Sequence, residues 1–120
     1  MNRNNDLIRE ILYRVEQHNG HQPLSITVRQ LIEPFPEVTQ DIIDEHIRLL
    51  TEKNLLEAEA TQFYWMITRL TWDGHDFLAN SKDPIIWEKA KSLAGHLSWD
   101  VLTATLSKLA VDTVLSCLPS

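Results

Sequence analysis

Few side chains in this sequence have the means to do chemistry, and their spacing points away from catalysis. His18 and His21 stand three residues apart, and His75 is followed directly by Asp76, a carboxylate able to orient an imidazole. Zinc takes three or four ligands in matched geometry, and two histidines without a His-Glu-x-x-His pattern or a cysteine pair do not supply them. Cys117, the single cysteine, has no obvious activating base and no partner for an internal disulfide. Gly20, Gly74 and Gly95 are too few and too scattered for a phosphate-cradling loop or a dinucleotide fingerprint, and there is no Gly-x-Ser-x-Gly elbow. The sequence therefore predicts a non-enzymatic protein with no catalytic residue, metal or cofactor. What remains is charge: acidic groups at Asp41, Asp44 and Glu45 and at Glu57 and Glu59, with Gln40 and Arg48 among them.

These charges must be carried on elements that the apolar spacing specifies. Leu7, Ile8, Ile11, Leu12 and Val15 recur at intervals of three and four, predicting a first helix from Asp6 to His18, capped by Asn5 or Asp6. Residues 23–26 have room for a short extended piece, and Thr27 to Gln30 matches a capping box that opens a short second helix through Ile32. Pro34-Phe35-Pro36 stops that helix. Thr39 caps a third, with Val38, Ile42, Ile43, Ile47, Leu49 and Leu50 as its apolar face and Asn54 at its end. His46 falls beside that face, where it suits a partly buried ring donating to a backbone carbonyl.

Beyond Asn54 the period shortens to two, and the segments around Leu56–Ala60 and Phe63–Ile67 predict a β-hairpin. A turn at Thr61-Gln62 would set Ala60 against Phe63, Ala58 against Trp65 and Leu56 against Ile67, although Thr-Gln is poor turn chemistry and leaves a longer loop open. Thr71 caps a fourth helix carrying Trp72, Phe77 and Leu78, in which Gly74 permits close approach of a neighbour. Asp83-Pro84 opens a fifth that Gly95 closes, and Ser98 opens a sixth running to about Leu118.

Helix, short strand, helix, helix, hairpin is the order of a winged helix-turn-helix. The predicted fold is accordingly mainly α (α+β): a winged helix-turn-helix over residues 1–80, its hairpin the wing and its third helix the reader, with two additional C-terminal helices over residues 81–120, in one compact domain. With 120 residues, 43% of them hydrophobic, the chain has material for one core. One cysteine, a polar opening from Met1 to Asp6 and the lack of a run of about eighteen apolar residues predict a soluble cytoplasmic protein without a membrane partner.

Asp6 to Arg9, His46 to Leu50 leading into Leu55 to Ala58, and above all Arg69-Leu70-Thr71-Trp72-Asp73-Gly74-His75-Asp76-Phe77-Leu78 resemble the short bacterial and phage proteins grouped as domain of unknown function family 2513. The likeness spans most of the chain, including Trp87 and the closing helix. It implies a winged-helix fold in a bacterial or prophage setting, and it carries no established catalytic residues.

That fold raises DNA binding, but affinity for DNA comes largely from cations neutralising phosphates. Residues 1–80 hold seven basic side chains against thirteen acidic ones, whereas residues 81–120 hold four of each. The third helix would present Gln40, Asp41, Asp44, Glu45, Arg48 and Glu52 to a groove bordered by phosphates, and the hairpin Glu57 and Glu59. Charge thus disfavours DNA and favours an unidentified protein partner. For a protein, the predicted rim is Asp41, Asp44, Glu45, Glu57 and Glu59, with Tyr64 and Met66 as exposed apolar anchors. For DNA, the candidates are Thr39, Gln40, Glu45 and Arg48, with Arg29 on a backbone phosphate. The acidic groups also suit mimicry of phosphate on a basic partner, as in an inhibitor of a nucleic-acid enzyme.

The last helix has more apolar surface than one stripe can hold. Trp99, Leu102, Leu106, Leu109 and Ala110 form one face, while Val101, Ala104, Val111, Val114, Leu115 and Leu118 fall largely outside it. The second group is the predicted homodimer interface. Trp65, Trp72, Trp87 and Trp99 are assigned to core packing.

Overall fold

Capping and apolar spacing yield five helices and one hairpin in the computed structural model, which describes residues 3–18, 35–62 and 65–117. The helices are α1 (Asn5–Gln17), α2 (Gln40–Glu52), α3 (Trp72–Asn80), α4 (Pro84–Ala94) and α5 (Trp99–Cys117). Strands β1 (Leu56–Ala60) and β2 (Trp65–Leu70) pair antiparallel between α2 and α3, making a mainly helical α+β chain. The extended piece and short helix expected at 23–32 lie outside the described residues. The chain divides into two compact units, Met1–His75 and Asp76–Ser120, so the division falls inside α3.

In the first unit α1 packs against β2 and α2, and α2 against β1. Leu7, Ile11 and Leu12 of α1 and Ile43 and Ile47 of α2 are fully buried, with Leu56, Ile67 and Leu70 of the hairpin almost as deep. The helix starts are where local chemistry puts them, with one shift. The cap of α1 is Asn4, not Asn5 or Asp6: its Oδ1 accepts the Leu7 N–H at 3.0 Å. Thr39 Oγ1 accepts the Ile42 N–H at 3.4 Å and starts α2, and Asn54, at φ 59°, turns the chain out of that helix.

The hairpin register differs from the expected one by two residues. Ala60 faces Trp65, Glu59 faces Met66 and Ala58 faces Ile67. Thr61-Gln62 does not close a two-residue turn, since neither residue favours the positive φ that such turns require. A shift of two keeps every side chain on its expected face, so the hydrophobic alternation survives it. Below Ala58 the pairing jumps to Glu57 with Arg69 and Leu56 with Leu70. Thr68 is the additional residue of a β-bulge, and this reversal of parity buries both Ile67 (1%) and Leu70 (2%).

The Thr71–Gly74 motif owes its residue types to packing. Thr71 Oγ1 accepts the Gly74 N–H at 3.2 Å, capping α3, and donates to the Asn54 carbonyl. The Thr71 N–H donates to Leu55 O at 3.1 Å, and a Cβ on Gly74 would lie 2.2 Å from that same carbonyl oxygen. Only glycine lets α3 start this close to the end of α2.

In the second unit α4 packs along α5. Asp83 Oδ1 accepts the Ile85 N–H at 2.8 Å, with Pro84 in the first turn of α4, and Ser98 Oγ accepts the Val101 N–H at 3.3 Å to start α5. Trp87 is 1% exposed and meets Phe77 edge to face with ring centroids 5.7 Å apart, while Trp99 lies 5.0 Å from Phe77 on a tilted plane. Trp72 departs from its assignment to the core: it is 81% exposed. At about 100° per residue it lies on the opposite side of α3 from the buried Gly74, Phe77 and Leu78.

Candidate functional site

Among the described residues, the predicted site residues lie on α2 and the hairpin in the first unit and on α5 in the second. On α2, Asp41, Arg48 and Glu52 are exposed, with Gln40, Asp44 and Glu45 half-buried. The side chains suited to reading bases are engaged by acids of their own helix. Gln40 Nε2 donates to Asp44 Oδ1 at 3.0 Å, and an Arg48 guanidinium nitrogen lies 3.9 Å from Glu45 Oε2. Thr39 is occupied as the cap. Arg29 lies outside the described residues.

The hairpin continues the acidic character, with one charge neutralised. Glu59 is exposed, whereas Glu57 accepts two bonds from the opposing Arg69, at 2.7 Å and 3.1 Å. The bulge at Thr68 sets this pair opposite, and sequence alternation alone does not reveal it. Tyr64 lies outside the described residues, and Met66, paired with Glu59 within the hairpin, is half-buried rather than exposed.

His46 is the buried polar group of α2. Its Nδ1 lies 2.8 Å from Ile42 O, and its Nε2 lies 2.8 Å from the Asn4 N–H. Only one neutral tautomer serves both: Nδ1–H donates to the carbonyl and Nε2 accepts from the amide. The ring thus ties α2 to the cap of α1. Burial pushes its pKa below the ordinary 6.5, aided by the Arg3 charge and opposed by the Ile42 hydrogen bond and by Glu45. This is a structural role. Among the described residues no group of three or more His, Cys, Asp or Glu is placed to hold a metal ion, and His21 lies outside them.

The second surface is on α5. Leu102 (0%) and Leu106 (1%) face inward, with Trp99, Leu109 and Ala110 half-buried beside them. On the far side Val101, Val111 and Val114 are 42%, 54% and 61% exposed, and Ala104 is exposed with them. The side chains of Leu115 and Leu118 lie outside the described residues. Thr103, Thr105 and Thr113 turn their hydroxyls back to the carbonyls of Trp99, Val101 and Leu109, at 3.0, 2.8 and 2.9 Å, so these hydroxyls are satisfied within the helix. Ile85, Leu93 and Leu97 of the same unit are also exposed and were not singled out from sequence. The signal was present in the spacing for Ile85, which falls on the side of α4 away from Trp87, Ala90 and Ala94.

No helix among the described residues is long and apolar enough to cross a membrane. A family model described as "Hypothetical protein (DUF2513)" matches residues 2–99. A protein of Haemophilus influenzae, described as uncharacterized, is 26% identical over 120 residues, covering 97% of each chain. No solved structure matches the chain.

Proposed function

The chain belongs to the DUF2513 family, and from that premise we propose that it is a winged helix-turn-helix protein that works by recognising another protein chain, its own included, and not by catalysis. The observation that carries this reading is the exposed apolar row Val101, Val111 and Val114 on a helix already packed on its other side. Apolar surface of this kind is characteristic of association sites. The order of α1, α2 and hairpin supports the winged-helix part, with β1–β2 as the wing.

The acidic face of the first unit, with Asp41, Glu45 and Glu59, is suited to a cationic protein partner. DNA recognition through Thr39, Gln40, Glu45, Arg48 and Arg29 is less well supported, because Gln40 and Arg48 are held by Asp44 and Glu45 and the local charge repels phosphate. Sedimentation of the full chain over a wide concentration range, with and without duplex DNA at low salt, tests the reading. Concentration-dependent self-association without DNA binding is expected. A monomer that binds duplex, with affinity falling steeply as salt rises, would reverse it.

A further inference from the structure

The exposed side of α5 carries a second regularity. Val101, Ala104, Lys108 and Val111 are separated by steps of three, four and three residues, and the sequence continues the spacing at Leu115 and Leu118. That alternation matches the three-four spacing of a coiled-coil seam. The first four residues are all exposed, on the opposite side of the helix from the buried Leu102 and Leu106. We propose that this seam is occupied by α5 of a second copy of the chain, running antiparallel about a two-fold axis level with Leu109 and Ala110. The inference rests on the self-associating reading above and adds the occupant, its direction and its register.

Lys108 sets the direction. In a parallel pair, equivalent positions lie level, so two Lys108 ammonium groups would meet inside the seam and repel each other. In an antiparallel pair, Lys108 lies level with the partner's Val111, and the partner's Asp112 stands one residue further along, beside the ammonium. The two-fold axis makes the contact twice. Lys108 and Asp112 are both exposed, and neither has an ion pair among the described residues. The lysine thus interrupts the apolar seam at the level where a carboxylate of the second copy can answer it.

Net charge selects the same unit for contact between copies. Residues 76–120 hold four basic and five acidic side chains, against seven and twelve in residues 1–75. Contact through the near-neutral unit brings together fewer like charges than contact through the acidic one. From Val101 to Val114 the row rises only about 20 Å. That is less than the ~800 Å² per partner of a standard interface requires, so a dissociation constant on the order of micromolar is expected.

Sedimentation equilibrium of the full chain from about 1 to 500 µM reads this directly. The wild type is expected to dimerise, Lys108→Glu to weaken the dimer about tenfold, and Lys108→Glu combined with Asp112→Lys to restore it to within about threefold. Val111→Glu, at an exposed position, should abolish the dimer while the circular dichroism of the monomer stays unchanged. A monomer at every concentration overturns both self-association and this inference. A dimer unaffected by Lys108→Glu overturns the register alone. So does a dimer that a disulfide closes between two copies of Ala104→Cys in a Cys117→Ser background. In the proposed pair those positions lie about 16 Å apart along the axis, beyond the ~7 Å that a disulfide spans.

Discussion

Residues 1–75 gather a core from two helices and a hairpin and turn carboxylates outward, whereas residues 76–120 build theirs from the packing of α4 on α5 and leave apolar side chains outside. Six of the eight exposed large hydrophobics among the described residues, from Ile85 to Val114, belong to the second unit. The excess of acidic over basic residues is five in the first unit and one in the second. Solubility and repulsion are thus concentrated in one part of the chain and capacity for apolar association in the other. Such a division suits a protein whose two surfaces meet different partners.

The largest expected effect tests whether the units are separate in energy as well as in contact. Trp87→Ala removes a ring that is 1% exposed and stacked edge-on with Phe77, and should cost about 3–5 kcal/mol of unit stability in urea titration. Hydrogen exchange should then show α4 and α5 losing protection while α1 and α2 keep theirs. If all four lose it together, the two-unit description fails energetically. Gly74→Ala is the counterpart in the first unit. A methyl group 2.2 Å from Leu55 O must displace backbone, and a loss of about 3 kcal/mol is expected by the same titration.

These two positions also mark what the sequence could and could not reveal. Helix starts at Thr39, Thr71, Asp83 and Ser98 were legible because a cap is a local bond between residues two or three apart. The close approach at Gly74 was legible as a type of contact, although its partner, the Leu55 carbonyl, was not. Hairpin register slipped because no strong turn pair anchored it, and the bulge at Thr68 carries no glycine to announce it. Trp72 was misplaced by residue type when spacing along α3 already put it opposite Phe77 and Leu78. On the acidic face, exposure at Asp41 and Glu52 followed from periodicity. The bond of Gln40 to Asp44 depended on rotamers, and that of Glu57 to Arg69 on register.

His46 gives an effect of middle size and a definite sign. The pair Asn4–His46 joins residues 42 apart in sequence, which no local pattern predicts. Folding favours the neutral ring, so its folded pKa lies below the 6.5 of the unfolded chain. The unfolded state then binds more protons as pH falls, and stability, complete above about pH 6.5, declines through that value until the folded pKa is passed. His46→Gln should cost about 1–2 kcal/mol at pH 7.5. Its stability should fall less steeply between pH 7 and pH 5 than that of the wild type, and parallel curves would show that the His46 ring is not the source of the pH dependence.

The smallest effect concerns the charge balance of the first unit. Arg69 and Glu57 are joined at 2.7 Å and 3.1 Å, yet their side chains are 59% and 51% exposed. Water and salt screen such a pair, which limits its coupling energy to less than about 1 kcal/mol. Arg69 also donates to its neighbour's carbonyl, Leu70 O, at 3.0 Å, so the Arg69→Ala variant alone overstates the pair. A double-mutant cycle with Glu57→Ala isolates the coupling, which should shrink between low salt and about 0.5 M. A coupling well above 1 kcal/mol that ignores salt would mean that the hairpin's charges hold the bulge in register. The acidic surface of the first unit would then be part of what holds its fold.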